Sequence, residues 1–275
     1  MRRMTYALTY VLGAMLLLIA IAATLVYAVP AAWVAAYVAH ASGGRVQIAH
    51  ARGLWHSGSG NLVLAGGAGG ATATHWPQRL TWRIRPRGLL QWHLRLTLPE
   101  AGAPLEATLR TDLSGWAVDI APWRGVIPLQ ALAGLGAPFN TLALEGDARI
   151  ALAQVNLSSA DTNSAKPAAA PNVEIDIARL RSALAQGVVL GDYAVRGTAA
   201  AGGASFNLRT LQGALLLDGA GQCTMSAIKN RLACGFAGTA RAARHDDALL
   251  GNLLGLLDKS SLPPGGATPV TELRW

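Results

Sequence analysis

Apolar and polar residues alternate with a period of two over most of the chain after residue 45. In the stretch RLTWRIRP, Leu80, Trp82 and Ile84 fall on one side, and threonine and arginine fall on the other. Successive side chains of a β-strand point to opposite faces, so this pattern predicts antiparallel strands with one buried and one solvated face. About ten such strands, separated by Gly and Pro turns, make the region mainly β. The many Gly and Ala residues favour a curved antiparallel sheet or sandwich.

A run of 23 uncharged residues, 7–29, precedes the β region. A helix of about 20 apolar residues spans the hydrocarbon core of a bilayer, so the run predicts a single transmembrane helix. Two arginines lie before it and the next basic residue is Arg45, which predicts a cytoplasmic segment at 1–6 and export of the rest. A cleaved signal peptide is the alternative, because residues 26–28 form an acceptable cleavage site.

The remaining chain divides into three parts. Residues 30–44 are predicted to form a short helix and linker, because two aromatic residues recur at helical spacing and two glycines follow. The exported β domain covers residues 45–245 and contains a low-complexity insertion at 158–171, which is predicted to be flexible. A short apolar helix and a flexible tail are predicted over residues 246–275.

The net charge of +8 is concentrated early in the chain, where nine arginines precede the first acidic residue, Glu100. Nucleic acid is not expected as a partner outside the cytoplasm, and an anionic lipid surface or an acidic protein is the natural counterpart. An ordinary solvated strand face is the alternative. The candidate partner-contact surface consists of four arginines on and just after one predicted strand: Arg79, Arg83, Arg85 and Arg87.

The chain has two cysteines, Cys223 and Cys234, with ten residues between them. A four-residue turn over 227–230 would place the two cysteines directly opposite each other on neighbouring strands. A cross-strand disulfide is geometrically feasible there, and an oxidising compartment would maintain it. Two buried free thiols are the alternative.

The glycine-rich stretch ARGLWHSGSGNLVL, residues 51–64, matches neither a nucleophile elbow nor a phosphate-binding loop. Gly53 and Gly58 are therefore predicted at turn or bulge positions, with Trp55 packed between sheet layers. The histidines match no metal-binding spacing, and acidic pairs such as Glu174/Asp176 alternate with apolar residues as on a solvated face. The sequence predicts no catalytic residue, no metal site, no cofactor and no enzymatic activity.

The assembled pattern resembles protein N of the bacterial type II secretion system. The likeness rests on one N-terminal anchor behind a basic start, the GLWHSG stretch, an L-x-W-x-x-x-P strand in LTWRIRP, and a late GQC strand. It covers most of residues 5–245. The residues that carry the two tryptophan motifs are Gly53, Trp55, Gly58, Trp82 and Pro86.

This resemblance implies a single-pass protein of the bacterial inner membrane, with a cytoplasmic N-terminus and a periplasmic bulk. Such a protein would be an accessory component of the machinery that exports folded proteins from the periplasm across the outer membrane. It would act through contacts with other components of the type II secretion system, without a cofactor or a catalytic site.

A lipid-handling protein of the AsmA-like kind is the alternative function. Those anchored periplasmic proteins also combine one helix with a long, curved, antiparallel sheet. The inward leucines and tryptophans are compatible with an apolar groove that binds or transfers a lipid. A second sheet closing the apolar face would favour a scaffold, whereas an open trough would favour a lipid carrier.

Overall fold

The computed structural model describes residues 13–18, 20, 21, 24, 27–66, 73–112, 115–136, 139–159, 172–185, 188–200, 203–226, 231–243 and 271–274. Within these ranges the protein is mainly β, as the alternation predicts. Its strands form two antiparallel sheets, and most strands pair with their neighbours in the sequence.

Among the described residues the first sheet has seven strands and the second has eight. The strands of the first sheet are β1 Val46–Leu54, β2 Ser57–Ala65, β3 Ala73–Pro86, β4 Gln91–Thr97, β5 Leu105–Asp112, β6 Gly115–Ile120 and β9 Val155–Ser158. Those of the second are β7 Trp123–Pro128, β8 Leu144–Leu152, β10 Val173–Ser182, β11 Val189–Ala200, β12 Gly203–Gly213, β13 Leu215–Ser226, β14 Arg231–Ala242 and β15 Thr271–Arg274. After the apolar run, the helical segments within the described ranges are α1 Ala31–Ala41, α2 Phe139–Leu142, and two 3-10 helices, Leu129–Leu135 and Ala183–Ala185.

Strand β3 shows how the sequence sets the two faces of the first sheet. Leu80 and Trp82 are buried, with 6% and 5% of their surface exposed, whereas Thr81 and Arg83 between and beside them are exposed. The alternation predicted for this strand is confirmed. The outward face of the first sheet is therefore polar and basic, and the inward face is apolar.

A two-stranded ribbon passes through both sheets. Two residues separate β6 from β7, and two residues separate β8 from β9. Because β6 pairs with β9 in the first sheet and β7 pairs with β8 in the second, each arm of the ribbon changes sheet at its bend. Bends of this kind are how strands turn a corner between packed sheets.

The 3-10 helix Leu129–Leu135 packs against β2 and β3 of the first sheet and β8 of the second. Its Ala131 clusters with the buried Trp76 of β3 and with Trp123 of β7. Its Leu129 belongs to a second cluster that contains Tyr193 of β11. Apolar side chains of both sheets therefore pack together around this helix, as expected for a shared core.

The predicted cytoplasmic residues 1–6 and 11 of the 23 residues of the apolar run 7–29 lie outside the described residues. The described residues of that run that lie before residue 28 are helical. None of the described helices reaches the length and hydrophobicity that a bilayer-spanning helix requires. Helix α1 lies within the predicted segment 30–44 and packs on β1, with Ala31 almost completely buried.

The predicted insertion and tail are described only at their ends. Residues 160–171 lie outside the described residues, and Ser158 still belongs to β9, so the regular structure continues one residue into the predicted insertion. Residues 246–270 and 275 are also outside them. Thr271–Arg274 differ from the predicted flexible tail, because they pair with β14 as an edge strand. This strand has only four residues, which are too few for a period of two to be recognised in the sequence.

Candidate functional site

The GLWHSG stretch forms the turn between β1 and β2, and its two glycines are required by close approaches. Gly53 has φ +93°, and a Cβ there would lie 2.5 Å from the Ser57 carbonyl oxygen. A Cβ at Gly58 would lie 2.3 Å from Cζ2 of the Trp82 ring. The two positions therefore exclude larger residues, in agreement with the predicted turn and bulge positions.

Trp82 lies directly opposite Gly58 and covers it with its indole. Its Nε1–H donates a 2.9 Å hydrogen bond to the Trp55 carbonyl oxygen across the turn. Trp55 is half-buried at the turn, with its ring centroid 6.0 Å from that of Trp92. Trp55 is therefore less buried than a residue packed between sheet layers, and the deeply buried indole of this corner is Trp82, which lies on the predicted inward face of β3.

This corner also receives the chain that leaves the apolar run. The Trp55 backbone N–H donates to the Val29 carbonyl oxygen at 3.0 Å, and Pro30 forms an isolated bridge with Leu54. The ring centroids of Tyr27 and His56 are 4.3 Å apart. The tryptophan-glycine motif thus connects the first sheet to the N-terminal segment.

Pro86 ends β3, where it lies opposite Trp92. A proline at a strand end removes no ladder hydrogen bond that a neighbour needs. The next residue closes the turn, because the Arg87 backbone N–H donates to the Gln91 carbonyl oxygen at 2.9 Å. The proline of the L-x-W-x-x-x-P motif therefore terminates β3 four residues after Trp82.

The four predicted contact arginines are all exposed and lie on or just beyond the outward face of β3. They separate into three groups along the strand. Arg79 is fixed by a 3.0 Å hydrogen bond from Nη2 to the His50 carbonyl oxygen. Arg83 lies at mid-sheet, whereas Arg85 and Arg87 lie at the end of the hairpin. The last three form no ion pair with any described residue.

Arg83 is placed between a hydroxyl and a second cation. It lies opposite Ser57 of β2 on one side and opposite Arg95 of β4 on the other. Directly opposed like charges on neighbouring strands destabilise a sheet. Arg95 has an acidic neighbour, Glu106, at 3.7 Å, but Arg83 has none among the described residues.

A groove of about 640 Å³ crosses the outward face of the first sheet beside Arg83 and Arg95. Arg52 of β1, which lies opposite Ser59, completes a set of three arginines around it. The polar residues that line the groove are Arg52, Arg83, Arg95, Ser57, Ser59, Thr81 and Thr97. We name this set the basic groove. Guanidinium groups and hydroxyls are donors that suit carboxylates and other oxyanions.

The contribution of Arg52 and Arg95 to the basic groove was not predicted. The register of the strands explains why these two arginines join the groove. The hairpin turn at GLWHSG places β1 against β2, and the next two hairpins add β3 and β4. Only this register brings three arginines distant in the sequence, on β1, β3 and β4, around one groove. The sequence-based surface was limited to residues of a single strand.

Cys223 lies directly opposite Cys234 in the β13–β14 ladder, which is the register that the sequence predicts. The disulfide between them stays a prediction. We expect alkylation of the denatured, unreduced protein to add no label at either cysteine, and reduction to make both reactive. Closing this loop is expected to contribute about 2–4 kcal/mol to stability, so reduction should lower the midpoint of urea unfolding. A protein that takes up two labels without reductant would contradict the bond.

Two perturbed titratable groups lie on neighbouring positions of β11, away from the basic groove. The Arg179 backbone N–H donates to Asp192 at 2.6 Å and the Gln212 amide donates at 2.7 Å, which together lower the pKa of the Asp192 carboxyl. Burial raises the pKa of the Tyr193 phenol, which stays a hydrogen-bond donor. Both groups fix strand geometry.

The acidic pair Glu174/Asp176 is engaged by a cation. Arg196 lies 3.8 Å from Glu174 and 2.7 Å from Asp176, and both carboxylates are about half exposed. Such pairs are typical of a solvated strand face. Within the described ranges, no group of three or more His, Cys, Asp or Glu residues is arranged to hold a metal ion.

The fold and its basic groove define a mainly β protein whose N-terminal segment is docked at one corner of an antiparallel sheet. A family model, that of protein N of the type II secretion system, matches residues 44–265. The chain therefore belongs to the type II secretion system protein N family, as the resemblance predicts, and is a component of type II secretion. Neither a curated protein nor a solved structure shows a significant match.

Proposed function

We propose that the protein is an accessory inner-membrane component of the type II secretion machinery, with its β domain in the periplasm. In this role it supports export of folded proteins across the outer membrane by contacting other components of the machinery. The protein carries out no chemical reaction and needs no cofactor. Family membership supports the pathway, and the basic groove supports the mode of action.

The basic groove is the observation that carries this proposal. Arg83 and Arg95 face each other across β3 and β4 although like charges there destabilise the sheet. Glu106 lies 3.7 Å from Arg95, but Arg83 has no acidic neighbour among the described residues, so an acidic segment of a partner would relieve the repulsion that remains. The strands fix the arginine backbones before binding, which reduces the entropy lost on association.

Charge reversal of the groove tests the contact. The double variant Arg52→Glu/Arg83→Glu is expected to lower secretion about tenfold or more, because opposed like charges at an interface cost several kcal/mol. Secretion of an endogenous exoprotein is measured in cells that express the full-length variant. A photocrosslinker at Thr81, within the groove, should lose its adduct with another secretion component in the same variant.

The matched control is Arg124→Glu/Arg241→Glu, two exposed strand arginines of the second sheet that lie opposite the apolar residues Ala151 and Leu216. This variant carries the same change of charge and should secrete normally. Equal secretion by the groove variant and the control, with both proteins at wild-type abundance, would rule out the basic groove as the contact surface.

An apolar face at the far end of the first sheet supports the lipid-binding alternative. Leu109 and Trp116 are 37% and 41% exposed, and they share the inward face with the half-buried Leu157 and Trp92. Exposed apolar side chains of this size mark binding surfaces. Mass spectrometry of lipid extracted from the purified full-length protein distinguishes the two functions, since a carrier retains stoichiometric lipid and a scaffold does not.

A further inference from the structure

The turn between β3 and β4, residues 86–90, exposes two adjacent leucines; we name it the hairpin tip. Leu89 is 97% exposed and Leu90 is 56% exposed. Tight turns normally carry polar residues, glycine or proline. A single exposed leucine needs no explanation, but two in succession at the most prominent point of a hairpin form an apolar projection.

The hairpin tip is held rigidly at its base. The Arg87 N–H donates to the Gln91 carbonyl oxygen at 2.9 Å, which closes the turn. The Thr111 N–H from β5 donates to the Leu90 carbonyl oxygen, also at 2.9 Å. These bonds present the leucines in a fixed orientation, so little conformational freedom would be lost if they were buried elsewhere.

The hairpin tip lies at the same end of the first sheet as the chain that leaves the apolar run. The Ile84 N–H donates to the His56 carbonyl oxygen at 2.6 Å, which aligns the base of the hairpin with the GLWHSG turn. The GLWHSG turn is also bonded to Val29, through the backbone N–H of Trp55. From Ile84 the strand continues to Pro86, so the tip projects about 7–10 Å past the turn.

The surface around the tip has the composition of a membrane-water boundary. Arg85 and Arg87 are exposed and without an ion pair to any described residue. At the corner where the chain enters, Tyr27 is 57% exposed and Trp33 is 71% exposed. Aromatic residues of this kind concentrate at the headgroup level, and arginines there bind anionic headgroups.

We propose that the hairpin tip is a second, peripheral membrane contact: Leu89 and Leu90 enter the headgroup-acyl boundary of an anionic phospholipid bilayer, and Arg85 and Arg87 bind the lipid phosphates. This inference rests on the membrane anchor of the proposed function. Together with the corner at Val29 and Pro30, it would give the β domain two points of support on the bilayer. The outward face of the first sheet, with the basic groove, would then keep a fixed orientation towards periplasmic partners.

The chemistry of the tip favours a bilayer over an acidic protein as its occupant. The space around Gly88 at the end of the hairpin is open, since nothing lies within 4 Å of a Cβ placed there. Two apolar side chains flanked by unpaired arginines match the depth profile of an anionic bilayer, in which phosphates lie above the acyl chains.

Hydrogen exchange of the full-length protein in lipid nanodiscs tests the proposal. We compare nanodiscs of phosphatidylcholine with nanodiscs that contain phosphatidylglycerol. The amides of residues 88–91 should exchange about tenfold more slowly with phosphatidylglycerol, because two arginines and two leucines then hold the turn in the boundary. Leu89→Ser/Leu90→Ser and Arg85→Gln/Arg87→Gln should each abolish most of that protection.

The control is Leu211→Ser, at a 55% exposed leucine near the β12–β13 turn of the second sheet, which should leave the protection unchanged. The nanodiscs contain no secretion partner, so protection in them can come only from lipid. A protein retained in the nanodisc with an unprotected tip overturns this inference and leaves the anchor intact. A protein that does not remain with the nanodisc overturns the anchor and the inference together. A tip that is unprotected in nanodiscs yet protected by an added secretion component would assign it to a protein partner instead.

Discussion

Replacing Trp82 by alanine is expected to lower the free energy of unfolding by about 3–5 kcal/mol, the range typical of a buried tryptophan removed from a core. The side chain is 5% exposed and lies across Gly58, where nothing else can fill the space. The substitution also removes the 2.9 Å hydrogen bond to the Trp55 carbonyl oxygen. Urea unfolding of the full-length chain in detergent, followed by circular dichroism, measures the loss.

Two further variants separate the contributions of the Trp82 corner. Trp82→Phe keeps an aromatic ring but loses the Nε1–H donor, so it should be intermediate. Gly58→Ala should also destabilise the protein, because its new methyl group would lie 2.3 Å from the Trp82 ring. Trp33→Ala, at a 71% exposed position, is the control and should change stability by less than about 0.5 kcal/mol. A Trp82→Ala protein as stable as this control would show that the corner does not stabilise the sheet.

The class of fold was predictable because one face of each strand is buried. From Leu80 to Ile84 in β3 and from Trp92 to Leu96 in β4 the period of two is uninterrupted, and the observed exposure alternates along β3. The order in which most strands pair was also predictable, since short Gly and Pro turns join sequential antiparallel neighbours. The two cysteines add an independent check, because they lie opposite each other as their spacing predicts.

The junction between the sheets could not be predicted. The bends at 121–122 and 153–154 send each arm of the ribbon from one sheet to the other, and no strong turn signal marks the second of them. The 3-10 helix Leu129–Leu135 is apolar without a clear period, so its position between strands of both sheets depends on tertiary packing. Local propensity carries little information about such segments.

The candidate site was predicted only in part, and the reason is register. Arg83 is recognisable from its own strand, but Arg95 lies opposite it on β4 and Arg52 lies two strands away on β1, so the three line one groove only when the hairpins are aligned. A shift of one residue in either hairpin would move those side chains to the opposite face. The glycines and Trp82 of the corner fix that register for β1 to β3, which links the family motif to the basic groove.

Replacing Tyr193 by alanine is the second substitution expected to have a large effect, again about 3–5 kcal/mol. Tyr193 is 1% exposed and packs in the cluster of the second sheet. Its hydroxyl donates a 2.8 Å hydrogen bond to the Leu215 carbonyl oxygen. The β12–β13 ladder extends from Gly203↔Thr224 only to Arg209↔Asp218, so on its β12 side the start of β13 is bonded by side chains. Thr210 is the other example, because its hydroxyl accepts from the Leu217 N–H at 2.6 Å.

Tyr193→Phe isolates the hydrogen bond from the packing. It should cost about 1–3 kcal/mol, because it leaves a buried carbonyl oxygen without its donor.

Burial raises the pKa of the Tyr193 phenol, so in alkali the unfolded chain loses this proton first. The tyrosine's stabilising effect is therefore complete below about pH 10 and declines as the pH rises further. Urea unfolding between about pH 7 and 11 should show a steeper loss for the wild type than for Tyr193→Phe. The exposed Tyr37→Phe should follow the wild type, and an equal alkaline slope for Tyr193→Phe would mean that the buried hydroxyl does not support β13.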